Sequence, residues 1–349
     1  MNTAEVKRIA RAWVQSEGPK LRGYQGAYFI GSINTRPDDS DWPPTSDVDI
    51  KFVLNEGDPE ALRNLHLVFE CDGLMLDRSA QSFEIFQNAQ NVLGSPWLAS
   101  HFATNSVLDD PSGRLTSVQQ YVAQHYAERA WVEKRCAQVA REFQPYKEMM
   151  LGPRSDPMNR LGFPEVVFAM AQYLLVAHLQ NPTTRRALVM SQAILEEYGQ
   201  SLLHEDVLQV LGSAAMAREQ VVVHLDELRA AFDYAITVRQ TRFPYDSAVT
   251  EPARPSTIDG TEVLIEGGYH REAMPWFLWS RSMCQIAIDY DASPKERERY
   301  DRHYQQLLQS LGLATPDDHV ARAGLAQRTF DRIQVAADAM MDKNPAIVD

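Results

Sequence analysis

Two aspartates separated by one residue, Asp47 and Asp49, are the side chains of this chain best spaced for chemistry. Apolar residues alternate with other residues through the segment that contains them, at Val48, Ile50, Phe52 and Leu54. The alternation predicts a β-strand with one buried face, and both carboxylates leave the strand on the same side, about 6.6 Å apart. Carboxylate oxygens are ligands that Mg²⁺ prefers, so this pair is a candidate site for a divalent cation.

A glycine and a serine, Gly31 and Ser32, close the preceding apolar run at residues 27–30. That run predicts a strand that enters a tight turn. A glycine lets the backbone approach a phosphate without a clash from a Cβ atom. Ser32 offers a hydroxyl and a backbone N–H to phosphate oxygens, so the turn is a candidate phosphate site.

A third carboxylate, Asp77, follows the dipeptide Asp72-Gly73, which is a strong hairpin signal between residues 66–70 and 74–79. We expect the second arm of this hairpin to end near Asp77. The carboxylate can complete a two-metal clamp, or it can act as base on an attacking hydroxyl. An ion pair with the arginine that follows it is the structural alternative.

These residues together resemble the signature of the nucleotidyltransferase superfamily, in particular its small-molecule branch of antibiotic nucleotidyltransferases. The resemblance is carried by Gly31-Ser32, the run Ser46-Asp47-Val48-Asp49-Ile50 and the later strand carboxylate, and it covers roughly the first third of the chain. The loop between the first two motifs is longer than in compact members of the family.

The resemblance implies an enzyme that moves a nucleoside monophosphate, AMP from ATP, to a hydroxyl of a small polar acceptor and releases pyrophosphate. An aminoglycoside-like antibiotic is the expected class of acceptor. Asp47, Asp49 and Asp77 would then be the catalytic and metal-binding residues at a two-metal Mg²⁺ site. Gly31 and Ser32 would bind the nucleotide, which is ATP or another nucleoside triphosphate.

Two other functions remain open at this point. The same chemistry would modify a hydroxyl of a protein side chain, and the size of the cleft separates that reaction from transfer to a small molecule. A chain that had lost turnover would be a nucleotide-binding or interaction protein. Retention of all three aspartates with Gly31 and Ser32 argues against such loss.

A further candidate, Glu272, stands in a polar cluster that begins at Gly267 and precedes a helical segment rich in aromatic residues. A helix N-terminus can bind an anion, and Glu272 can serve as a substrate contact or a base. A capped helix whose aromatic side chains pack in the core is the structural alternative.

The elements that must position these residues divide the chain into two predicted domains. Residues 1–115 predict an α/β (α+β) domain with a small mixed twisted sheet, including a strand at residues 102–108. Residues 116–349 have helical periodicity almost throughout, beginning with a helix at residues 118–143, and predict a large all-helical domain. A chain of 349 residues exceeds the usual size of one hydrophobic core.

The composition of the chain limits the classes of partner that it is expected to bind. The formal net charge of −13 disfavours a nucleic-acid partner, because a polyphosphate backbone would be repelled. The chain has no run of 18 or more apolar residues and no apolar leader at its start, so we expect no membrane partner and a cytoplasmic location. Its three cysteines show no metal or disulfide spacing. No heptad seam indicates an oligomeric state.

Overall fold

The computed structural model describes residues 1–153 and 155–349, which form two compact units. Unit 1 comprises Met1–Arg135 together with Pro345–Asp349, and unit 2 comprises Cys136–Asn344. Unit 1 therefore continues past the boundary predicted at residue 115. The helix that follows this position belongs to it because its apolar side chains lie in the same core cluster as Tyr28 and Val53 of the sheet.

Unit 1 contains a mixed sheet of five strands: β1 (Tyr24–Phe29), β2 (Val48–Leu54), β3 (Leu67–Cys71), β4 (Leu74–Ser82) and β5 (Val107–Asp109). Its helices are α1 (Thr3–Glu17), α2 (Pro59–Arg63), α3 (Ala89–Leu93), α4 (Pro96–Phe102) and α5 (Arg114–His125). The strand order is β3-β4-β2-β1-β5, and only β2 and β4 pair in parallel. The predicted fold class, a small mixed sheet followed by a helical region, is confirmed.

Unit 2 is helical. Helix α6 (Arg129–Leu151) includes the boundary between the units. In the part of the chain that the structure describes, it is followed by α7 (Gly162–Ala177), α8 (Ala187–Glu197), α9 (Ser201–Leu211), α10 (Arg218–Val238), α11 (Gly260–Glu266), α12 (Met274–Asp291), α13 (Pro294–Ser310) and α14 (Pro316–Met341). The stretch Pro157–Ala177 is long and apolar enough to cross a membrane, but 89% of its most apolar window is buried inside the protein. Such burial is typical of a core helix.

Both faces of the sheet are covered by apolar side chains. On one face, Val6, Ala10 and Val14 of α1 pack in a cluster that contains Ile50 and Phe52 of β2. The other face carries Tyr28 and Val53, which lie in a second cluster with apolar residues of α3, α4 and α5. The alternation predicted for β2 is confirmed at Val48, Ile50 and Phe52, and the strand becomes buried on both sides from Phe52 onward.

Three predicted boundaries are wrong. Residues 102–108 are not a single strand, because Phe102 ends α4, where its ring packs 4.9 Å from that of Tyr28. The second hairpin arm does not end near Asp77, since β4 pairs with β2 as far as Ser82. The helix predicted for residues 118–143 is interrupted between His125 and Arg129.

The interruption between α5 and α6 coincides with a return of the chain's last residues. Val348 forms a parallel bridge with Glu128. Its N–H donates to the carbonyl of Ala127 at 3.0 Å, and its carbonyl accepts from the N–H of Arg129 at 2.8 Å. Residues 345–349 thereby become part of unit 1.

We predict that Phe52→Ala lowers the free energy of unfolding by about 3 to 5 kcal/mol, because it removes a fully buried ring. Phe52 is 1% exposed and contacts the rings of Trp13 and Tyr24. The measurement is equilibrium unfolding in urea. Leu67→Ala is the control in the same unit, since Leu67 is 47% exposed and should change stability by about 0.5 kcal/mol or less. Equal effects of the two changes would contradict the assigned core.

Candidate metal centre

Three aspartates of unit 1 converge at one point of the sheet. Parallel pairing of β2 with β4 places Asp49 directly opposite Asp77, and Asp47 immediately precedes β2. One carboxylate oxygen from each of the three lies within 4.8 Å of the other two. All three side chains are partly buried, so they remain reachable by a ligand. The structure thus brings together the three carboxylates that the sequence singled out.

Gly31 lies against this cluster at the end of β1. Its φ of 74° is in the left-handed region, which a residue with a Cβ atom adopts at a cost. A Cβ atom at this position would overlap Oδ2 of Asp49, so only glycine leaves that carboxylate where it is. The N–H of the preceding Ile30 donates to the carbonyl of Asp49 at 3.1 Å, which fixes the turn to β2.

Ser32 follows in a single turn of 3-10 helix that spans Gly31–Asn34. The residue is exposed, so a ligand can reach it from solvent. Its carbonyl accepts from the N–H groups of Thr35 and Arg36, both at 3.2 Å. The candidate phosphate-binding turn is therefore ordered by backbone hydrogen bonds, is accessible to a ligand, and lies next to the carboxylate cluster.

His66, which the sequence analysis did not single out, holds the third carboxylate. Its Nε2 lies 2.7 Å from Oδ1 of Asp77. His66 directly precedes β3, the strand that pairs with β4 in antiparallel orientation. A hydrogen bond of this kind fixes the orientation of a ligating carboxylate. No sequence signal marked the pair, because the contact depends on the register of the hairpin.

Lys51 is a second residue that the sequence analysis missed. It stands two residues after Asp49 on β2 and is half-buried. Burial lowers the pKa of its ammonium group, while the negative charges of Asp77 and Asp49 act to raise it. The cluster of carboxylates therefore has a cation of the protein within electrostatic reach. The alternation of β2 was the signal that could have found Lys51, since it shares a face with Asp49.

His101 lies beyond Lys51 and stays neutral. Burial, together with the positive charge of Lys51, lowers its pKa to about 4. The amide Nδ2 of Asn34 lies 3.3 Å from Nδ1 of the imidazole, which accepts a hydrogen bond from it in the neutral form. The same amide donates to the carbonyl of Phe29 at 2.9 Å. His101 thus links α4 to the turn that begins at Gly31.

Glu272 lies in unit 2 and is not part of this cluster's unit. It precedes α12 and is only 4% exposed. Its Oε1 lies 3.1 Å from Nε2 of His204 and 3.5 Å from Nη2 of Arg271. Burial alone would raise the pKa of Glu272, but the hydrogen bond with His204 and the charge of Arg271 bring it below the usual value. These contacts favour a structural ion pair.

We predict that Gly31→Ala weakens binding of a divalent cation by at least about tenfold, because the new Cβ atom displaces a carboxylate ligand. The measurement is calorimetric titration with Mg²⁺ or Mn²⁺. Gly73→Ala is a matched control: its φ is 76°, but nothing lies within 4 Å of the added atom. The control carries the same backbone strain and should bind as the unchanged protein does. Equal losses in both variants would show that strain, not Asp49, is responsible.

We predict that Glu272→Gln lowers the free energy of unfolding by about 3 kcal/mol near neutral pH, because it leaves part of a buried ion pair uncompensated. Since the folded pKa of Glu272 is depressed, its stabilising effect is present above the unfolded pKa of about 4.3 and is lost as the pH falls through the folded pKa. Urea unfolding of both proteins across this range is the measurement.

The exposed partner of the same arginine provides the control for Glu272. Glu205 is bonded to Arg271 at 2.9 Å, and its side chain is 41% exposed. We expect Glu205→Gln to cost about 1 kcal/mol or less, as surface pairs do. A loss at Glu272 that is no larger, or that persists unchanged at acid pH, would rule out the buried pair.

Comparison with known proteins adds little to this geometry. The chain matches no protein-family model and no curated protein. Among solved structures it is similar to a nucleotidyltransferase-like protein from Exiguobacterium sibiricum 255-15, with 14% identity and a TM-score of 0.29 over 75% of this chain and 92% of that one. A TM-score this low leaves fold and function to be argued from the residues themselves.

Proposed function

We propose that this chain is a metal-dependent nucleotidyltransferase, which moves a nucleoside monophosphate from a nucleoside triphosphate to a hydroxyl of a small polar acceptor. The observation that carries the proposal is the convergence of Asp47, Asp49 and Asp77, with one oxygen each within 4.8 Å of the others. A glycine turn that no other residue could replace without displacing Asp49 lies against them. The sequence motifs and the geometry therefore point to the same reaction.

The three aspartates fit a magnesium ion by the chemistry of their donors. Mg²⁺ is held in proteins by one or two carboxylates together with substrate phosphates, at sites that bring hard oxygen ligands close together. Asp47 and Asp49 would hold the ion, and Asp77 would complete the set. When bound, such an ion neutralises charge that develops on the transferring phosphoryl group.

The turn at Gly31 and Ser32 supports binding of the triphosphate. The exposed hydroxyl and the backbone N–H of Ser32 can donate hydrogen bonds to phosphate oxygens. The left-handed conformation of Gly31 brings this backbone against Asp49, where a side chain would block the approach. We infer that the turn holds the phosphates of the nucleotide beside the carboxylates.

The reaction we propose balances as a single displacement. The hydroxyl oxygen of the acceptor bonds to the α-phosphorus, the bond from that phosphorus to the bridging oxygen breaks, and pyrophosphate leaves with the bonding electrons. The hydroxyl proton must pass to a base, and Asp77 is the carboxylate we assign to it if two ligands suffice for the metal. His66, 2.7 Å from Oδ1 of Asp77, keeps that carboxylate in place in either role.

We also propose a donor and an acceptor. ATP is the expected donor from the family resemblance. A cationic small molecule is the expected acceptor, because a chain with a net charge of −13 attracts cations over long range.

We predict that Asp47→Asn and Asp49→Asn each abolish magnesium-dependent stabilisation by nucleotide. A ligand at 100 times its Kd raises the free energy of unfolding by about 2.7 kcal/mol. The measurement is a thermal-unfolding series with ATP, GTP, CTP and UTP, each with and without Mg²⁺. The unchanged protein should respond to at least one nucleotide, and only with the metal.

Asp72→Asn is the control for these variants. Asp72 has a φ of 49° in the β3–β4 turn, a conformation that asparagine also tolerates. This variant also removes one negative charge from the sheet region, and it should keep the full Mg²⁺-dependent stabilisation by nucleotide. The proposal fails if no nucleotide stabilises the unchanged protein with Mg²⁺, or if both site variants respond as the control does.

A further inference from the structure

Lys51 is a half-buried charged residue of unit 1 that lies beside the three aspartates. It follows Asp49 by two residues on β2. Both side chains therefore leave the strand on the same face, about 6.6 Å apart along it. Removing an ammonium group from water is costly unless a partner compensates it. The groups around Lys51 therefore decide what it can bind.

The residues that flank Lys51 across the sheet carry no charge. Strand pairing places Tyr28 of β1 on one side of it and Ser79 of β4 on the other. From α4, His101 lies within electrostatic reach, and its pKa of about 4 leaves it neutral near pH 7. The carboxylates that act on Lys51 are those of Asp77 and Asp49, at one end of its surroundings.

The ammonium group of Lys51 is not engaged by these carboxylates in a close contact. Among the residues that the structure describes, it forms no ion pair and donates no hydrogen bond. Oδ1 of Asp77 is held instead by His66 at 2.7 Å. The lysine stem is flexible and its ammonium group has three donors. These donors are available to a ligand that enters the carboxylate cluster.

A positive charge at this place acts in opposite directions on the two charged parts of the proposed substrate. It repels a divalent cation held by Asp47 and Asp49, and it attracts phosphate oxygens. A site that bound only a metal ion would therefore be stronger without Lys51. A site for a metal ion together with a polyphosphate gains from Lys51, because lysine binds phosphate as a point charge.

We propose that Lys51 is a phosphate-binding residue, whose ammonium group binds the triphosphate of the nucleotide beside the metal ion. The inference rests on the transferase function proposed above, and it adds a contact that the sequence motifs do not include. The turn at Gly31 and Ser32 binds the phosphates from the end of β1, and Lys51 binds them from β2. Two neighbouring strands of the sheet then supply the donors for one ligand.

Inorganic tripolyphosphate is the probe that tests this residue, because it carries the phosphates without a base or a sugar. The full chain is compared with Lys51→Met, which keeps an apolar stem and removes the charge. Calorimetric titration with Mg²⁺ alone measures the metal site. Titration with tripolyphosphate in excess Mg²⁺ measures phosphate binding. Neither titration requires turnover or an acceptor.

We expect Lys51→Met to shift the two affinities in opposite directions. Mg²⁺ alone should bind about 2- to 10-fold more tightly, because a repelling charge is gone. Tripolyphosphate in excess Mg²⁺ should bind at least about tenfold more weakly, because a charge-assisted hydrogen bond is lost. A lysine that only offset the repulsion among the carboxylates would leave tripolyphosphate binding unchanged or make it tighter.

Two further variants complete the comparison. Lys20→Met is the matched control, since Lys20 is a lysine of unit 1 whose side chain is 63% exposed and paired with Glu17. It loses the same charge, and both affinities should stay within about twofold, because exposed distant charges are screened. Lys51→Gln is a second neutral variant with a polar side chain, and it should show the same shifts as Lys51→Met. Thermal unfolding checks that each variant is folded.

The outcomes separate the role of Lys51 from the proposed function. Unchanged or tighter tripolyphosphate binding in the folded neutral variants would overturn the role of Lys51 and leave the transferase proposal standing. A parallel loss of both affinities would show damage to the carboxylate cluster and would also overturn it. If the unchanged protein binds neither tripolyphosphate nor any nucleotide with Mg²⁺, the inference and the proposed function both fail.

Discussion

Like-charge repulsion among three carboxylates is the constraint on which the rest of unit 1 depends. Two full negative charges 4.8 Å apart repel by about 3 kcal/mol at an effective dielectric constant near 20. The sheet holds Asp47, Asp49 and Asp77 at such distances by backbone pairing, which does not relax when the side chains repel. Lys51 offsets part of this cost, and His66 fixes the third carboxylate. Because the three carboxylates repel one another and the sheet keeps them close, the cluster is suited to binding a cation.

Much of this site could be predicted because it rests on local patterns. The period-2 alternation of β2 gave the shared face of Asp47 and Asp49, and the Asp72-Gly73 turn gave the hairpin that carries Asp77. The contact of His66 with Asp77 could not be predicted, since it requires the register of the hairpin. Lys51 was visible on the same face as Asp49, but a charged residue on a strand is ordinarily solvated.

The sequence predicts that unit 2 is helical, but it predicts few of the contacts between its helices. Periodicity marked most of its helices, but it does not say which helices pack together. The pairs His204–Glu272 and Trp279–Glu165 join residues 68 and 114 positions apart, and both depend on tertiary packing. Glu272, chosen from a local polar cluster, is buried in such a pair. No local sequence pattern marks Glu165, because the indole that it contacts comes from a distant segment.

The pairing of Val348 with Glu128 has a consequence for the order in which the protein is made and folds. Residues 345–349 complete unit 1, yet they leave the ribosome after the roughly 200 residues of unit 2. At about 5 to 20 residues per second, the sheet with its carboxylates waits about 10 to 40 s for this last segment. Unit 1 therefore reaches its contacts with residues 345–349 only after translation has passed unit 2.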